Sequence, residues 1–513
     1  MTHESYSRNA LRRGAWHYLT GKAVSALITF VILLWLVRIL SLEEYGVYVT
    51  LVAGAEIAYA FGGIGLPWLA ARYLPEYRLN APGASLVGIC RRLLLWQALA
   101  LVVFVGIAFL LGNIYLDWVG LQSFRLTGVV FLVVIAFEGL GRFVREPLMG
   151  PLMRQGDARL SLICRQLFVL LLLIAGNAAG SIDVFAVATI EAGASVISFG
   201  LGWWLLERHF KVLRLQAARP DWKAPTLGAH WAVALKMYFA HLVSLTYSPQ
   251  AMTNVVMSML GNEATALFGF LRALNDQVAR YLPATLLFSL IRPKLVASYV
   301  GGGGMAELMR NANLAGKLSL FVLVSLLVLA ALSGDLLVGV LSGGKFTDTG
   351  WLLAGFLAGL IPFSQRQLLE SVAVAIGRAE VCVWASSIGL VMLPLTWILV
   401  HAGFGLWAPV MSIGLGHLAF NGFVLGIIVF KYGYRADWAG VAKMFGCAVL
   451  SYLILSSLSF ERMGQLSPGG NFPFLQAVLV VASYLLLAWV FKPFSQEERD
   501  RINAFLRRRV FIW

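Results

Sequence analysis

At 513 residues, 59% hydrophobic and only 13% charged, with a mean hydropathy of +0.80, the chain is excluded from the water-soluble globular class, where about a quarter of residues are charged. A net charge of +15 would suit a nucleic-acid binder, but the placement of the basic residues has a better explanation in a membrane. The four cysteines, Cys90, Cys164, Cys382 and Cys447, are isolated and give neither a metal-ligand spacing nor a disulfide framework.

Apolar runs of roughly 20 residues, the length with which a helix crosses the hydrocarbon core, recur along the whole chain. Fourteen spans are predicted. The first, 15–39, follows a basic N-terminus; its run of about 25 residues is longer than a signal-peptide core, and no small-residue cleavage site follows it. It contains Lys22, on one helix face with Tyr18, Ser25 and Thr29. Two readings stay open for Lys22: it snorkels to the nearby surface, or it lines a water-filled cavity. The second span, 45–66, contains Glu56. The third is 90–111 and the fourth 125–145, where Glu138 is read as pairing with Arg142 four residues on. The fifth, 160–180, holds Arg165, and the sixth, 184–206, carries a polar stripe of Glu191, Ser195 and Ser198 that suits packing and function equally.

The seventh span, 231–258, is polar along much of its length (Lys236, His241, Ser244, Ser248, Gln250, Thr253, Asn254), and Pro249 is expected to kink it. A lone membrane histidine is usually a packing residue, so His241 is a weak proton-site candidate. In the eighth, 264–290, Arg272, Asp276 and Arg280 follow at i, i+4 and i+8, either as a structural ion-pair ladder or as a wall with one net positive charge. The glycine run 301–304 is a connector, because no GK[ST] follows it. Spans 314–334, 351–376 (with the pair Arg366 and Glu370), 381–400, 405–430, 441–460 and 474–491 complete the set. In the tail, "SQEERDRINAFLRRRVFIW", Ser495 and Glu498 make a capping-box pattern. Ile502, Phe505, Leu506 and Val510 can share an apolar face, which predicts a short amphipathic helix on the inner leaflet held by Arg507–Arg509.

Of the 40 basic residues, 30 fall in the termini, in alternate loops and at the span ends beside them on one side, including Arg142, Arg145 and Lys317, and four (Arg38, Arg125, Lys345, Arg462) on the other. Positive charge marks the cytoplasmic side, so both termini are expected there. A charge inside a span is costly and normally faces protein or water. The chain also matches itself at an offset of 220: Leu40, Glu43, Leu51 and Arg72 meet Leu260, Glu263, Leu271 and Arg292, and Glu56 meets Asp276. The expected fold is therefore an all-α polytopic membrane protein with about 14 transmembrane helices, in two six-helix lobes forming a parallel pseudo-repeat plus two C-terminal helices. The expected organisation is a cytoplasmic N-terminus (1–14), an N-lobe (15–206), a cytoplasmic linker (207–230), a C-lobe (231–430), two extra helices (431–491) and a cytoplasmic tail (492–513). No Walker, HExxH or GxSxG motif is present, and the outward loops are short. That disfavours a membrane glycosyltransferase or polymerase.

Residues 11–78, with "RIL" ending the first span, "LEEYGVY" opening the second and "GIGLPWLAARYLPEY" closing it, resemble the start of bacterial polysaccharide-biosynthesis flippases of the MATE-like (multidrug/oligosaccharidyl-lipid/polysaccharide) superfamily. "LGNEATALFGFLRALND" at 260–276 is similar to a repeat of that motif. The resemblance implies two six-helix lobes around a basic central cavity. It also implies flipping of an undecaprenyl-diphosphate-linked oligosaccharide from the cytoplasmic to the outer leaflet of the inner membrane. A drug/cation exporter and a lipid II flippase share the superfamily and remain alternatives. On that reading no enzyme chemistry and no metal or organic cofactor are expected. The partners are the lipid-linked substrate, membrane lipids and a polysaccharide polymerase with its export machinery, and not nucleic acid. Lys22, Arg165, Lys236, Arg272, Arg280 and Arg366 are the expected phosphate contacts. Glu56, Asp276, His241 and Glu370 are the candidates to bind a coupling H+ or Na+, or else pair with arginines.

Overall fold

A computed structural model of the chain describes residues 8–180, 182–215, 228–283, 285, 304–376, 378–433, 436–457, 472–506 and 511–513. No strand occurs among them. The chain divides into two compact units, 1–269 and 270–513.

The first unit is built from α1 (Arg8–Ile39), α2 (Leu42–Phe61), α3 (Leu66–Asn80), α4 (Gly83–Trp118), α5 (Arg125–Phe143), α6 (Gln155–Ala178), α7 (Val184–Leu213) and α8 (Gly228–Leu245). Helix α9 (Pro249–Tyr281) crosses the division between the units. The start of α2 follows from its sequence: Ser41 accepts the Glu44 N–H at 3.1 Å, and Glu44 accepts the Ser41 N–H at 3.0 Å, a reciprocal capping box. Gly46, inside the LEEYGVY motif, has a packing reason, since a Cβ there would collide with the Asn262 carbonyl of α9. Helix α2 ends at a glycine-rich turn in which Gly65 has φ +76°. The chain then bends by 55° into α3, whose Leu66, Leu69, Tyr73 and Tyr77 are buried against α4, α5 and α7. Outward, α4 exposes Val102, Val103, Ile107, Leu110 and Ile114, a run of bare apolar side chains suited to lipid and to no aqueous surface.

The expected seventh span is broken. Helix α8 ends at Leu245 and Pro249 opens α9, because proline is tolerated in a first helical turn and not in an interior. A second break follows at Gly261, with φ 83° and ψ −173°.

The second unit continues with α10 (Gly304–Ser342), α11 (Gly350–Ala375), α12 (Ala379–Ile388), α13 (Met392–Leu399), α14 (Trp407–Tyr432), α15 (Trp438–Ser457), α16 (Phe472–Phe491) and α17 (Gln496–Leu506). Helices α12 and α13 form one candidate span with the turns that flank α13, Glu380–Phe404. At 39 residues, α10 is about 58 Å long at 1.5 Å per residue, well beyond the hydrocarbon core of about 30 Å. It is therefore longer than one crossing needs.

Among the described residues, ten helices are long and apolar enough to cross a membrane, or eleven if the bent pair α2 and α3 counts as one span. Helices α8 and α9 stand where the polar seventh and eighth spans were expected, and α16 where the fourteenth was. The chain is an all-helical, multi-pass membrane protein.

The tail forms the expected helix, with the Ser495 N–H donating to Glu498 at 2.8 Å and the Glu498 N–H to Ser495 at 3.3 Å. Of its expected apolar face, Ile502 packs on the protein's own helices, while the side chains of Phe505 and Leu506, and Val510, lie outside the described residues. Ile502 and Phe494 are buried with Phe321 of α10 and Tyr484 of α16, and the Trp513 indole donates to the Leu485 carbonyl at 3.1 Å. Arg507–Arg509 lie outside the described residues. Lys317 of α10, expected among the basic residues of the cytoplasmic side, is 3% exposed and donates to Asp437 and Glu498, each at 2.6 Å.

Candidate functional site

Four of the charged residues expected inside the first unit, Glu56, Glu138, Arg165 and Glu191, converge on one network drawn from four helices. Along α2, Tyr48, Glu56 and Tyr59 recur at i, i+8 and i+11, which places them on one face. Helix α5 offers Glu138 and Arg142 one turn apart. Pro147 then has no N–H to give the carbonyl four residues back, and the chain widens into a π-turn over Val144–Leu148, in which the Met149 N–H reaches the Val144 carbonyl at 2.9 Å. That extra turn carries Arg145 on from the end of α5 to a buried place beside α7. Helix α6 brings Arg165 and Ser161, and α7 brings Glu191 and, two turns on, Ser198.

Glu138 is the centre. It accepts from Arg145 at 2.5 Å and from Arg142 at 3.2 Å, and Arg165 Nε lies 3.2 Å from its second oxygen. Arg165 also pairs with Glu191, whose other oxygen accepts the Tyr48 hydroxyl at 3.2 Å. Arg145 reaches the Ser198 hydroxyl at 2.9 Å, and Ser161 donates to the Ser198 carbonyl at 2.8 Å. At the other end, Arg142 forks onto both Glu56 oxygens, at 2.7 and 3.0 Å, with its guanidinium 4.4 Å above the Tyr59 ring.

Three carboxylates and three guanidiniums cancel in formal charge, the condition under which buried ions are tolerated at all. Exposure is unequal. The side chains of Glu138 and Arg145 are 5% and 6% exposed, Glu191 10% and Arg165 16%, whereas Arg142 is 40% and Glu56 31% exposed. The network is closed around Glu138 and open at the Arg142–Glu56 pair. A charge open to hydrocarbon is costly, so the open end faces water. Arg142 and Arg145, expected among the basic residues of the cytoplasmic side, both belong to this network, and Glu56 pairs with Arg142. Local spacing flags the Glu138–Arg142 step alone.

The other expected residues lie apart from it. Lys22 is half-buried. Ser25 is buried, and Thr29 donates to the Ser25 carbonyl at 2.9 Å while accepting from Gln166 of α6 at 2.5 Å, so these two face helix packing. His241 is exposed beside the Trp68 ring, 5.5 Å between centroids. The side chain of Lys236 lies outside the described residues. In the second unit, Arg272 is buried with its Nε 4.0 Å from Asp276, and Arg280 is exposed. Arg366 donates to Glu370 at 2.9 Å and stacks 4.3 Å from the Phe420 ring centroid. No group of metal-ligating side chains occurs among the described residues. A cavity of about 770 Å³ opens between α2, α4 and α5, but apart from Arg125, Asn113, Asn254 and Tyr115 its lining is apolar. The charge chemistry lies in the network.

Residues 11–278, a little over half of the chain, match the model of the polysaccharide biosynthesis protein family. A search of the curated proteins finds no match. Among solved structures the chain is similar to the lipid II flippase MurJ in an inward closed conformation, with a TM-score of 0.66, 12% identity, and 94% of this chain and 99% of that one covered. It is similar to an inward-facing multidrug resistance MATE family transporter of the MOP superfamily, with a TM-score of 0.59, 14% identity and coverage of 81% and 97%. A Vibrio cholerae MATE transporter gives a TM-score of 0.54 at 13% identity, with coverage of 83% and 98%. At such identities the likeness is one of fold.

Proposed function

The chain belongs to the polysaccharide biosynthesis protein family, and we propose that it flips an undecaprenyl-diphosphate-linked oligosaccharide from the cytoplasmic to the outer leaflet of the bacterial inner membrane by alternating access. The observation that carries this reading is a set of arginines held inside the spans, one of which, Arg142, is 40% exposed. The cargo head is a diphosphate with hydrophilic sugars. Moving such a charge through hydrocarbon would cost tens of kcal/mol, and arginine supplies charge-assisted, bidentate donors that offset the loss of water. No bond is made or broken, so no catalytic residue is needed. Lys22, Lys236, Arg272, Arg280 and Arg366 are the further phosphate contacts in this reading, while Arg165, engaged by Glu138 and Glu191 at the enclosed end, holds the network in place. Glu56, Asp276, His241 and Glu370 are the places to look for a driving H+ or Na+. With most basic residues in alternate loops and the tail, both termini are assigned to the cytoplasm.

The test is a deletion strain complemented with the full chain. Loss of surface polysaccharide with accumulation of its lipid-linked repeat unit, restored by the chain, is the expected result. Unchanged polysaccharide with new drug sensitivity would make it a drug exporter instead. Unchanged polysaccharide with rescue of a strain depleted of lipid II flippase would make the cargo lipid II.

A further inference from the structure

The open end of the network has the geometry of a ligand site already filled by a side chain. Arg142 divides its donors: Nε is engaged by Glu138, and the two terminal nitrogens are both on Glu56. The first contact fixes the guanidinium from the closed side, where Glu138 is itself held by Arg145 and Arg165. The second presents a planar two-donor fork, backed by the Tyr59 ring, toward the exposed edge. That fork is the one arginine uses bidentately for phosphate as well as for carboxylate. We propose that Arg142 is an anion site for a phosphate or diphosphate group and that Glu56 is its built-in competitor, a carboxylate that occupies the fork while the carrier is empty and yields to cargo. The proposal rests on the flippase reading given above.

Physical chemistry gives this arrangement a purpose. An alternating-access carrier must change state both loaded and empty. An arginine without a counter-ion in a low-dielectric site is heavily penalised, so an empty cationic site would resist closing away from water. With Glu56 on Arg142 the empty site is neutral, and with cargo on Arg142 the phosphate oxygens replace the carboxylate oxygens acceptor for acceptor. Glu191 cannot play this part, because it lies at the closed end on Arg165. The competition also weakens cargo binding by design, which favours release.

The test uses the purified full chain in detergent with inorganic pyrophosphate as the probe, read by calorimetry. Glu56→Gln removes the competitor's charge and should bind pyrophosphate about tenfold tighter, while its transport in the complemented strain falls because the empty carrier returns poorly. Glu56→Asp keeps the charge and withdraws it by one methylene; it should bind tighter by a smaller factor. Arg142→Ala, alone or with Glu56→Gln, should abolish the gain. Glu191→Gln makes the same charge change at the closed end and should bind like the wild type. Unchanged or weaker binding by both Glu56 variants in folded protein would overturn the proposal, as would an equal gain from Glu191→Gln.

Added to the pyrophosphate assay in mixed micelles, undecaprenyl diphosphate should compete and phosphatidylglycerol should not. Competition by phosphatidylglycerol alone would assign the site to ordinary lipid headgroups and overturn the exchange role. A Glu56-sensitive anion site in a chain whose deletion leaves polysaccharide output intact would refute the cargo reading and leave the site standing. Polysaccharide dependence with Glu56-insensitive binding would do the reverse.

Discussion

The two units treat their internal charges differently. In the first, three glutamates and three arginines from four helices close into one network with a buried centre at Glu138. In the second, Arg272 lies 4.0 Å from Asp276 and Arg366 donates to Glu370 at 2.9 Å, each one helical turn apart, and ionic contacts between helices, Lys317 with Asp437 and Glu498 and Arg310 with Glu497, gather where the tail docks. Glu56 and Asp276 occupy matched positions at the offset of 220, yet Glu56 meets an arginine from another helix and Asp276 approaches one on its own. A matched sequence position does not fix which helix supplies a pairing charge, because Arg142 reaches Glu56 from outside the matched stretch.

The largest effect that could break this comparison is at Glu138. Glu138→Ala leaves Arg145 and Arg165 in place with their shared carboxylate gone, and removing one partner of a buried ion pair costs about 3–5 kcal/mol. Folded yield and melting temperature by fluorescence-detected gel filtration should fall sharply. A variant as stable as the wild type would mean that the network is wet throughout and that the contrast between closed and open ends is false.

The second effect belongs to the tail. Glu498→Ala removes one of the two carboxylates on Lys317, which is 3% exposed, and should cost about 1.5–3 kcal/mol, the worth of a hydrogen bond to a charged group. A tail lying on the leaflet would lose nothing, so an unchanged melting temperature would restore that reading. Smaller again is Glu370→Ala. Glu370 is 37% exposed, and exposed pairs contribute about 1 kcal/mol or less; Arg366 also keeps its stacking on Phe420. A loss matching that of Glu138→Ala would show that the second unit hides a network of its own.

Much of the fold was legible because hydropathy and length act locally. In the first unit the helices fall on the apolar runs, but Leu66–Asn80, expected as the end of a span and a basic loop, forms a helix of its own, and α4 extends beyond the expected 90–111 at both ends. The members Glu56, Glu138, Arg165 and Glu191 were legible one at a time, since a charge in an apolar run is conspicuous. Their connectivity was not. Arg142 meets Glu56 across 86 residues and Arg145 meets Ser198 across 53, and no helical period encodes such distances. Arg145 was further concealed by the π-turn at Pro147, which carries the helix past the point where a proline suggests an end. For the tail, the Ser495–Glu498 cap was readable but its receptor was not, because an amphipathic face does not say whether lipid or protein will cover it.

The finest distinction concerns pH and belongs to the clasp of the second unit, where Asp437 is the carboxylate more open to water. At Asp437, burial works to raise the carboxyl, but the Lys317 ammonium and the Gly440 N–H outweigh it and hold the pKa below its ordinary 3.8. A carboxyl with a depressed folded-state pKa adds stability that is fully present above the unfolded value and disappears as pH falls through the folded value. The difference in melting temperature between wild type and Asp437→Asn should therefore be constant from neutral pH down to about 4, and should shrink only below 3.8. A difference that already fades between about pH 6 and 5 would mean that burial wins over Lys317 and that the carboxyl is raised. The clasp would then open under mild acid, and the tail would be a far weaker fixture of the second unit than its contacts with Phe321 and Tyr484 imply.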